Sequence, residues 1–294
     1  MAKSLVNAKS RRKNNPNNKV IAALVGPLSF WLVLFLALPL IYVVLISFMN
    51  KGTYGGIDWT FTLKNYIDLW NPSYGKVIWK SIALAFNTSL ICLLISYPFS
   101  FILSWVQEKY RGFLILLIML PFWINELIRL NGWSNILRDS GIVNRFLLEL
   151  GIIDSPITMM YTDGATLFGM VYAFFPFMVL PLNTSLSKLD VTLIEASYDL
   201  GASKLHTFFR VILPLTYPGI FAGTIQVFIP SLGAFYIADV MGGGNSTLLG
   251  NLIKDQFLTA RNWPGGAAFS VILIIFTLIM LKLYSNVGDL DDLA

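Results

Sequence analysis

Glu195-Ala196-Ser197-Tyr198-Asp199-Leu200-Gly201, followed after nine residues by Val211-Ile212-Leu213-Pro214, decides the fold of this chain. The stretch is polar, yet it separates two long apolar segments. Asp190 stands where a side-chain oxygen caps a short helix through Ile194, Glu195, Tyr198 and Asp199. Gly201 supplies the left-handed residue that ends it. Ser203 is placed to cap a second helix over 204–213, and Pro214 bends the path into the next apolar segment. A helix–turn–helix held in water between two membrane segments offers a rigid surface to a partner.

The flanking segments are membrane spans. The chain is 56% hydrophobic and 13% charged, far more apolar than a soluble domain. Residues 20–50, 81–107, 164–187, 211–238 and 262–281 carry no charge over 31, 27, 24, 28 and 20 positions. Each reaches the roughly 20 residues that cross a bilayer. Residues 112–137 form one more run, interrupted only by Glu126 and Arg129. In lipid the backbone must bond to itself, so these runs are predicted helical. The expectation is an all-α polytopic membrane protein of six transmembrane helices. The first span covers about 20–49, the fourth 164–187, the fifth 213–237 and the sixth 263–286, while the second and third form a hairpin through 108–112. The first run is too long for the apolar core of a signal peptide, and no small-residue cleavage site follows it, so it reads as a retained span.

Lysine and arginine set the orientation. The arm 1–19 holds Lys3, Lys9, Arg11, Arg12, Lys13 and Lys19 with no acid, and its Asn-rich composition reads as disordered. Lys109 and Arg111 lie in the 108–112 turn, and Lys188, Lys204 and Arg210 lie in the polar loop at about 188–212. With six spans all three segments face the cytoplasm. The expected organisation is a basic cytoplasmic arm (1–19), a membrane domain (20–287) and a cytoplasmic tail (288–294), acidic through Asp289, Asp291 and Asp292. The net charge of +5 is thus a topology signal and gives no reason to expect nucleic acid.

Cys92 is the one cysteine and His206 the one histidine, which leaves no intramolecular disulfide, no cysteine or histidine metal cluster and no supported Ser–His pair. His206 reads as a solvated or interface residue. No Gly-x-x-x-x-Gly-Lys-Ser/Thr loop is present, so ATP chemistry, if used, belongs to another subunit. A membrane enzyme fits poorly. The six spans show no internal repeat, which points to a half-pore that needs a partner.

Ionisable groups inside spans are costly and mark candidate sites. Glu126 and Arg129 are three apart on one helix face. They read either as a self-neutralising pair against a partner helix, or with Glu126 on a translocation path near Trp123, Asn125 and Trp133. Pro121 bends the helix at this depth. Asp239 and Tyr236, in Phe235-Tyr236-Ile237-Ala238-Asp239, are also three apart. A carboxylate beside aromatic rings suits an organic cation, through ionic hydrogen bonds and cation–π contacts. The alternative is an interfacial Asp beside an aromatic belt. Tyr172, Phe174, Phe175 and Phe177 surround Pro176 as packing or lipid-facing groups, with Tyr172 a candidate for the path. Outside the spans, 50–75 is punctuated by Gly52, Gly55, Gly56 and Pro72. Residues 142–150 form an amphipathic stretch ended by Gly151. Gly242-Gly243-Gly244 precedes a helical pattern over 247–260 that suits a docking face or a lid.

The opening stretch resembles the EAA loop of bacterial ABC importer permeases: Glu-Ala-Ala, three residues, Gly, nine residues, Ile, one residue, Leu-Pro. Ser197 stands for the second Ala and Val211 for the Ile. Further stretches carry the likeness through about 25–285: Pro121-Phe122-Trp123, Leu127-Ile128-Arg129, 176–182, Lys188-Leu189-Asp190, 199–204, Phe235-Tyr236, Asp239 and Met241-Gly242-Gly243. Together they resemble the permease subunits of spermidine/putrescine ABC importers, from which Glu126 departs, a small polar residue being expected there. The resemblance implies the type I importer permease (MetI-like) fold. It implies ATPase coupling through Asp190, Glu195, Ala196, Ser197, Asp199, Gly201, Leu213 and Pro214. The substrate path along Asp239, Tyr236, Phe235, Trp123, Glu126 and Tyr172 is read from the placement of charges and rings in the spans, not from the resemblance. The resemblance also implies a PotC-like second permease subunit, an ATPase dimer that binds ATP and Mg, a polyamine-binding protein, and no cofactor in this chain. Another small organic cation, an anion or ferric iron stays open as cargo, as does a self-sufficient channel or secondary transporter.

Overall fold

A computed structural model describes residues 17–285; the basic arm up to residue 16 and the acidic tail from 286 lie outside them. Helix α1 (Asn17–Leu32) runs through a π-helical turn at Val33–Ala37 into α2 (Leu38–Ser47). Strands β1 (Met49–Lys51) and β2 (Ile57–Phe61) pair antiparallel, and α3 (Lys64–Asp68) follows. Then come α4 (Pro72–Ser104), α5 (Glu108–Met119), a 3₁₀ turn at Leu120–Trp123, α6 (Glu126–Leu137) and α7 (Ile142–Glu149). Helix α8 is Asp163–Ser187, α9 Val191–Asp199 and α10 Lys204–Thr207, continued by a π turn at Phe208–Ile212 and α11 (Leu213–Leu215). Helices α12 (Tyr217–Gly233), α13 (Phe235–Ile237), α14 (Leu249–Leu258) and α15 (Trp263–Ser285) complete the chain.

Four segments are long and apolar enough to span: Val25–Ser47, Pro72–Ser104, Asp163–Ser187 and Trp263–Leu283. The third and fifth spans are broken, by 87° between Lys109–Trp123 and Glu126–Glu149, and by 63° between Lys204–Leu215 and Tyr217–Gly233. Two sequence expectations are corrected here. Residues 112–137 are not one bent helix. Pro121 starts a 3₁₀ turn, Ile124 is extended, and Asn125 caps a new helix by accepting from the Leu127 N–H. At 12 residues, α5 is about 18 Å long, well short of the ~30 Å apolar core. Likewise the segment expected as the fifth span is not one helix: α11 (Leu213–Leu215) continues the arm of the polar loop, and the chain bends at Thr216 before α12 (Tyr217–Gly233). The 33 residues of α4 make it about 50 Å long, so it projects beyond the apolar layer. The β1–β2 hairpin was not legible in the glycine-rich 50–75 segment.

Helices α4, α8 and α12 pack against one another as the core. In a membrane such contact depends on small residues and polar bonds rather than on hydrophobic exclusion. Gly219 and Gly223, four apart, bring α12 onto α8. A Cβ at Gly219 would lie 2.8 Å from the Pro181 carbonyl, and one at Gly223 2.6 Å from Met178 Sδ. Helix α4 turns Ser81, Thr88, Ser89, Cys92, Ser96 and Ser100 inward. Thr88 and Ser89 bond their own i−4 carbonyls, as buried helical hydroxyls do. Tyr97 Oη meets Thr216 Oγ1 at 3.0 Å, which ties α4 to the bend that precedes α12. By contrast, α2 buries only Ile46 and Ser47, leaving the first span's apolar surface for lipid or another subunit.

Candidate coupling elbow and aromatic cavity

The polar stretch that opened the sequence folds as an elbow. Asp190 Oδ1 accepts from the Thr192 N–H at 2.9 Å and caps α9. This bond to Thr192 holds the Asp190 carboxyl below the ordinary carboxylate range. At the other end Gly201 sits at φ +82°. Its N–H donates to the Tyr198 carbonyl at 2.8 Å, and the Ala202 N–H donates to Ser197 at 3.0 Å. This is the Schellman pair of bonds, which needs a left-handed residue at the turn. Ser203 caps the second arm by accepting from the His206 N–H at 3.3 Å. That arm runs on to Leu215 through the π turn. Ser197 Oγ and Thr207 Oγ1, 2.6 Å apart, tie the two arms together.

The elbow is fastened to the bundle. Ile194 from α9 packs with Leu186, Ile212, Leu189, Phe101 and Phe208. Arg111 reaches Ser187 Oγ at 3.1 Å, together with the Ser104 and Val106 carbonyls. The 104–111 turn and the polar loop therefore lie at one end of the bundle. Glu195 and Asp199, four apart on one stripe, are exposed, as is Leu200 at 89%. Ala196 and Pro214 are also exposed, while Ser197 and Leu213 are half-buried. A crevice of about 590 Å³ in the crook is lined by Leu200, Ser203, His206 and Arg210. An exposed apolar side chain and two carboxylates on an anchored helix form a ready docking surface.

The candidate path residues separate into two groups. A cavity of about 500 Å³ is lined by Phe122, Trp123, Glu126, Arg129, Phe174, Pro176, Phe177, Pro230 and Tyr236. It opens where the third span breaks and two proline-bearing helices meet. Tyr236 Oη donates to Glu126 Oε2 at 2.7 Å. Glu126 and Arg129 do not pair; the self-neutralising reading is corrected. Arg129 lies 4.3 Å over the Phe122 ring and 5.3 Å over Tyr172 and donates to the Ile124 carbonyl at 3.3 Å. Tyr172 itself packs edge-on against Trp133, outside the cavity lining.

Asp239 faces elsewhere. It lies in the π turn Ala238–Gly242 and does not line the cavity that Tyr236 lines, so the two do not form a joint site. Lys254 Nζ lies 2.7 Å from Asp239 Oδ2, and Asn251 Nδ2 donates to Oδ1 at 2.6 Å. Lys254 also stands 5.7 Å over the Phe235 ring. These bonds fasten the end of the fifth span to α14. A second fastening at this end of the bundle joins Lys80 of α4 to Asp163 of α8 at 2.7 Å, with Ser246 donating to the same carboxylate. Sequence spacing showed neither Lys254 nor Asn251 as a partner of Asp239; only the fold brings them there. Among the described residues no His, Cys, Asp or Glu cluster suits a metal.

Residues 20–288 match the family model of the binding-protein-dependent transport system inner membrane component. The spermidine/putrescine transport system permease protein PotB of Haemophilus influenzae is 42% identical over 274 residues, covering 93% of this chain and 96% of that protein. PotB of Escherichia coli K12 is 46% identical over 265 residues, covering 90% and 95%. A chain of a bacterial ABC transporter that imports the acidic polysaccharide alginate superposes with a TM-score of 0.74 at 16% identity, covering 92% of this chain and 96% of that one. The 16% identity makes that likeness a statement of fold, and the fold is the ABC importer permease fold. With its multi-pass helical bundle and a match along nearly its whole length, this chain belongs to the binding-protein-dependent transport system inner membrane component family.

Proposed function

We propose that this chain is one permease subunit of an ATP-driven importer that carries spermidine and/or putrescine across the cytoplasmic (inner) membrane. The observation that carries the reading is the similarity over nine-tenths of the chain to permeases named for spermidine/putrescine transport. The cavity agrees with it, since a carboxylate among aromatic side chains suits an organic ammonium.

The mechanism follows from the elbow. A separate ATPase dimer binds ATP and Mg and receives Glu195, Asp199 and Leu200 in its grooves. When the dimer closes, the load passes through α9 to the Ile194 cluster and to the base of α4 and α8. The Asp190 cap, the Gly201 turn and the Ser197–Thr207 bond keep the two arms at a fixed angle, so the push moves helices as rigid bodies. A PotC-like second permease subunit completes the pore, and a soluble binding protein delivers cargo at the opposite end. Both termini lie in the cytoplasm, on the ATPase side.

The test is uptake of labelled spermidine into proteoliposomes holding the complete transporter with its binding protein. ATP-dependent uptake that requires this chain, and that excess putrescine suppresses, is expected. Full assembly with no polyamine uptake would reject the cargo. Uptake by this chain alone without ATP would reject the importer mechanism.

A further inference from the structure

We propose that Glu126 is the carboxylate that receives an ammonium group of the polyamine inside the membrane domain, in the cavity it shares with Tyr236, Trp123, Phe174 and Phe177. The proposal rests on the polyamine reading above and assigns the recognition to one residue.

Two intramembrane carboxylates were candidates, and the structure separates them. Asp239 already holds a lysine ammonium at 2.7 Å and an amide at 2.6 Å, and it lines no part of the cavity. Glu126 lines the cavity and carries one hydrogen bond, from Tyr236 at 2.7 Å. A carboxylate offers about four acceptor directions, so Glu126 keeps room for an ammonium, which brings three donors. Tyr236 fixes the rotamer in advance, so less side-chain freedom is lost on binding.

The walls match the rest of such a ligand. Phe174 and Phe177 offer apolar aromatic surface to an aliphatic stem, and Trp123, 80% exposed, lines the cavity as well. The volume, about 500 Å³, falls within the roughly 300–1,000 Å³ range of small-molecule sites. Arg129 gives the cavity polarity. Its guanidinium lies over Phe122 and Tyr172 instead of pairing with Glu126. It leaves the acid uncancelled by contact and repels cations from its own end. The ligand's charge is thereby directed to Glu126.

The experiment measures labelled spermidine binding to the complete transporter in nanodiscs, without binding protein, beside ATP-dependent uptake in proteoliposomes. Glu126→Gln is expected to weaken binding about tenfold, the scale of one charge-assisted contact, while ATP hydrolysis stimulated by the loaded binding protein persists. Glu126→Asp, which keeps the charge, is expected to stay within about threefold of wild type. Arg129→Gln gives an independent sign, because removing the positive wall is expected to tighten binding. Equal losses in the Gln and Asp variants, unchanged affinity in Glu126→Gln, or weaker binding in Arg129→Gln would overturn the assignment. Wild-type transporter that neither binds nor imports polyamine would reject the cargo reading itself.

Discussion

Replacing Gly201 tests the elbow as a rigid coupling element. Gly201 sits at φ +82°, and a Cβ built there meets nothing within 4 Å. The cost of a side chain at this position is therefore conformational, not a matter of space. An ordinary L-residue in the left-handed region costs roughly 1–2 kcal/mol, while Asn visits that region far more readily. A β-branched residue is the poorest occupant. The expected order of damage is Asn, then Ala, then Val, although Asn is larger than Ala. At about 2 kcal/mol, Gly201→Val would populate the intact Schellman turn roughly 30-fold less relative to opened forms. Proteoliposomes holding the complete transporter give the readout as substrate moved per ATP hydrolysed. Gly201→Asn should stay near wild type, Gly201→Ala should lose part of its coupling, and Gly201→Val should lose most of it while still inserting. A ranking by side-chain volume, or full coupling in Gly201→Val, would show that the fixed turn does not carry the load.

Two further outcomes follow from other contacts. Gly219→Val should destabilise the bundle by about 1–3 kcal/mol, the usual range for overpacking, because its Cβ would lie 2.8 Å from the Pro181 carbonyl; Gly233→Ala, with nothing within 4 Å, should not. Thermal unfolding in detergent measures both, and equal midpoints would contradict the close α8–α12 contact. The Asp190 carboxyl is held below its ordinary value by its bond to Thr192, so the cap supports α9 at and above the ordinary carboxylate range and is lost as pH falls through the lowered value. The protection factor of the Thr192 amide, its exchange rate divided into the intrinsic rate at the same pH, should fall on acidification, and Asp190→Asn should flatten that dependence; identical protection profiles would remove the ionised cap.

The elbow was legible residue by residue because its signals are local. An N-cap acts two or three residues along the chain, and a Schellman turn closes within six. Asp190, Gly201 and Ser203 therefore announced their roles before any packing was known. The spans were legible for a similar reason, since uncharged length alone decides what crosses a bilayer. The 87° break in the third span was visible only as a bend at Pro121, because an extended residue and a new cap after it complete the turn.

The sequence by itself thus determined six apolar segments, the elbow between two of them, and the family pattern those features carry. It could not determine which way each span faces. Spans apolar on nearly every side give no periodic stripe to orient them, so rotation is settled by which helices meet. Only the tertiary structure brought Tyr236 to Glu126 across 110 residues of chain and sent Asp239 to Lys254 instead. Both carboxylates lie beside aromatic residues in the sequence. Packing of α6 and α13 left one facing a cavity, and packing of α14 neutralised the other.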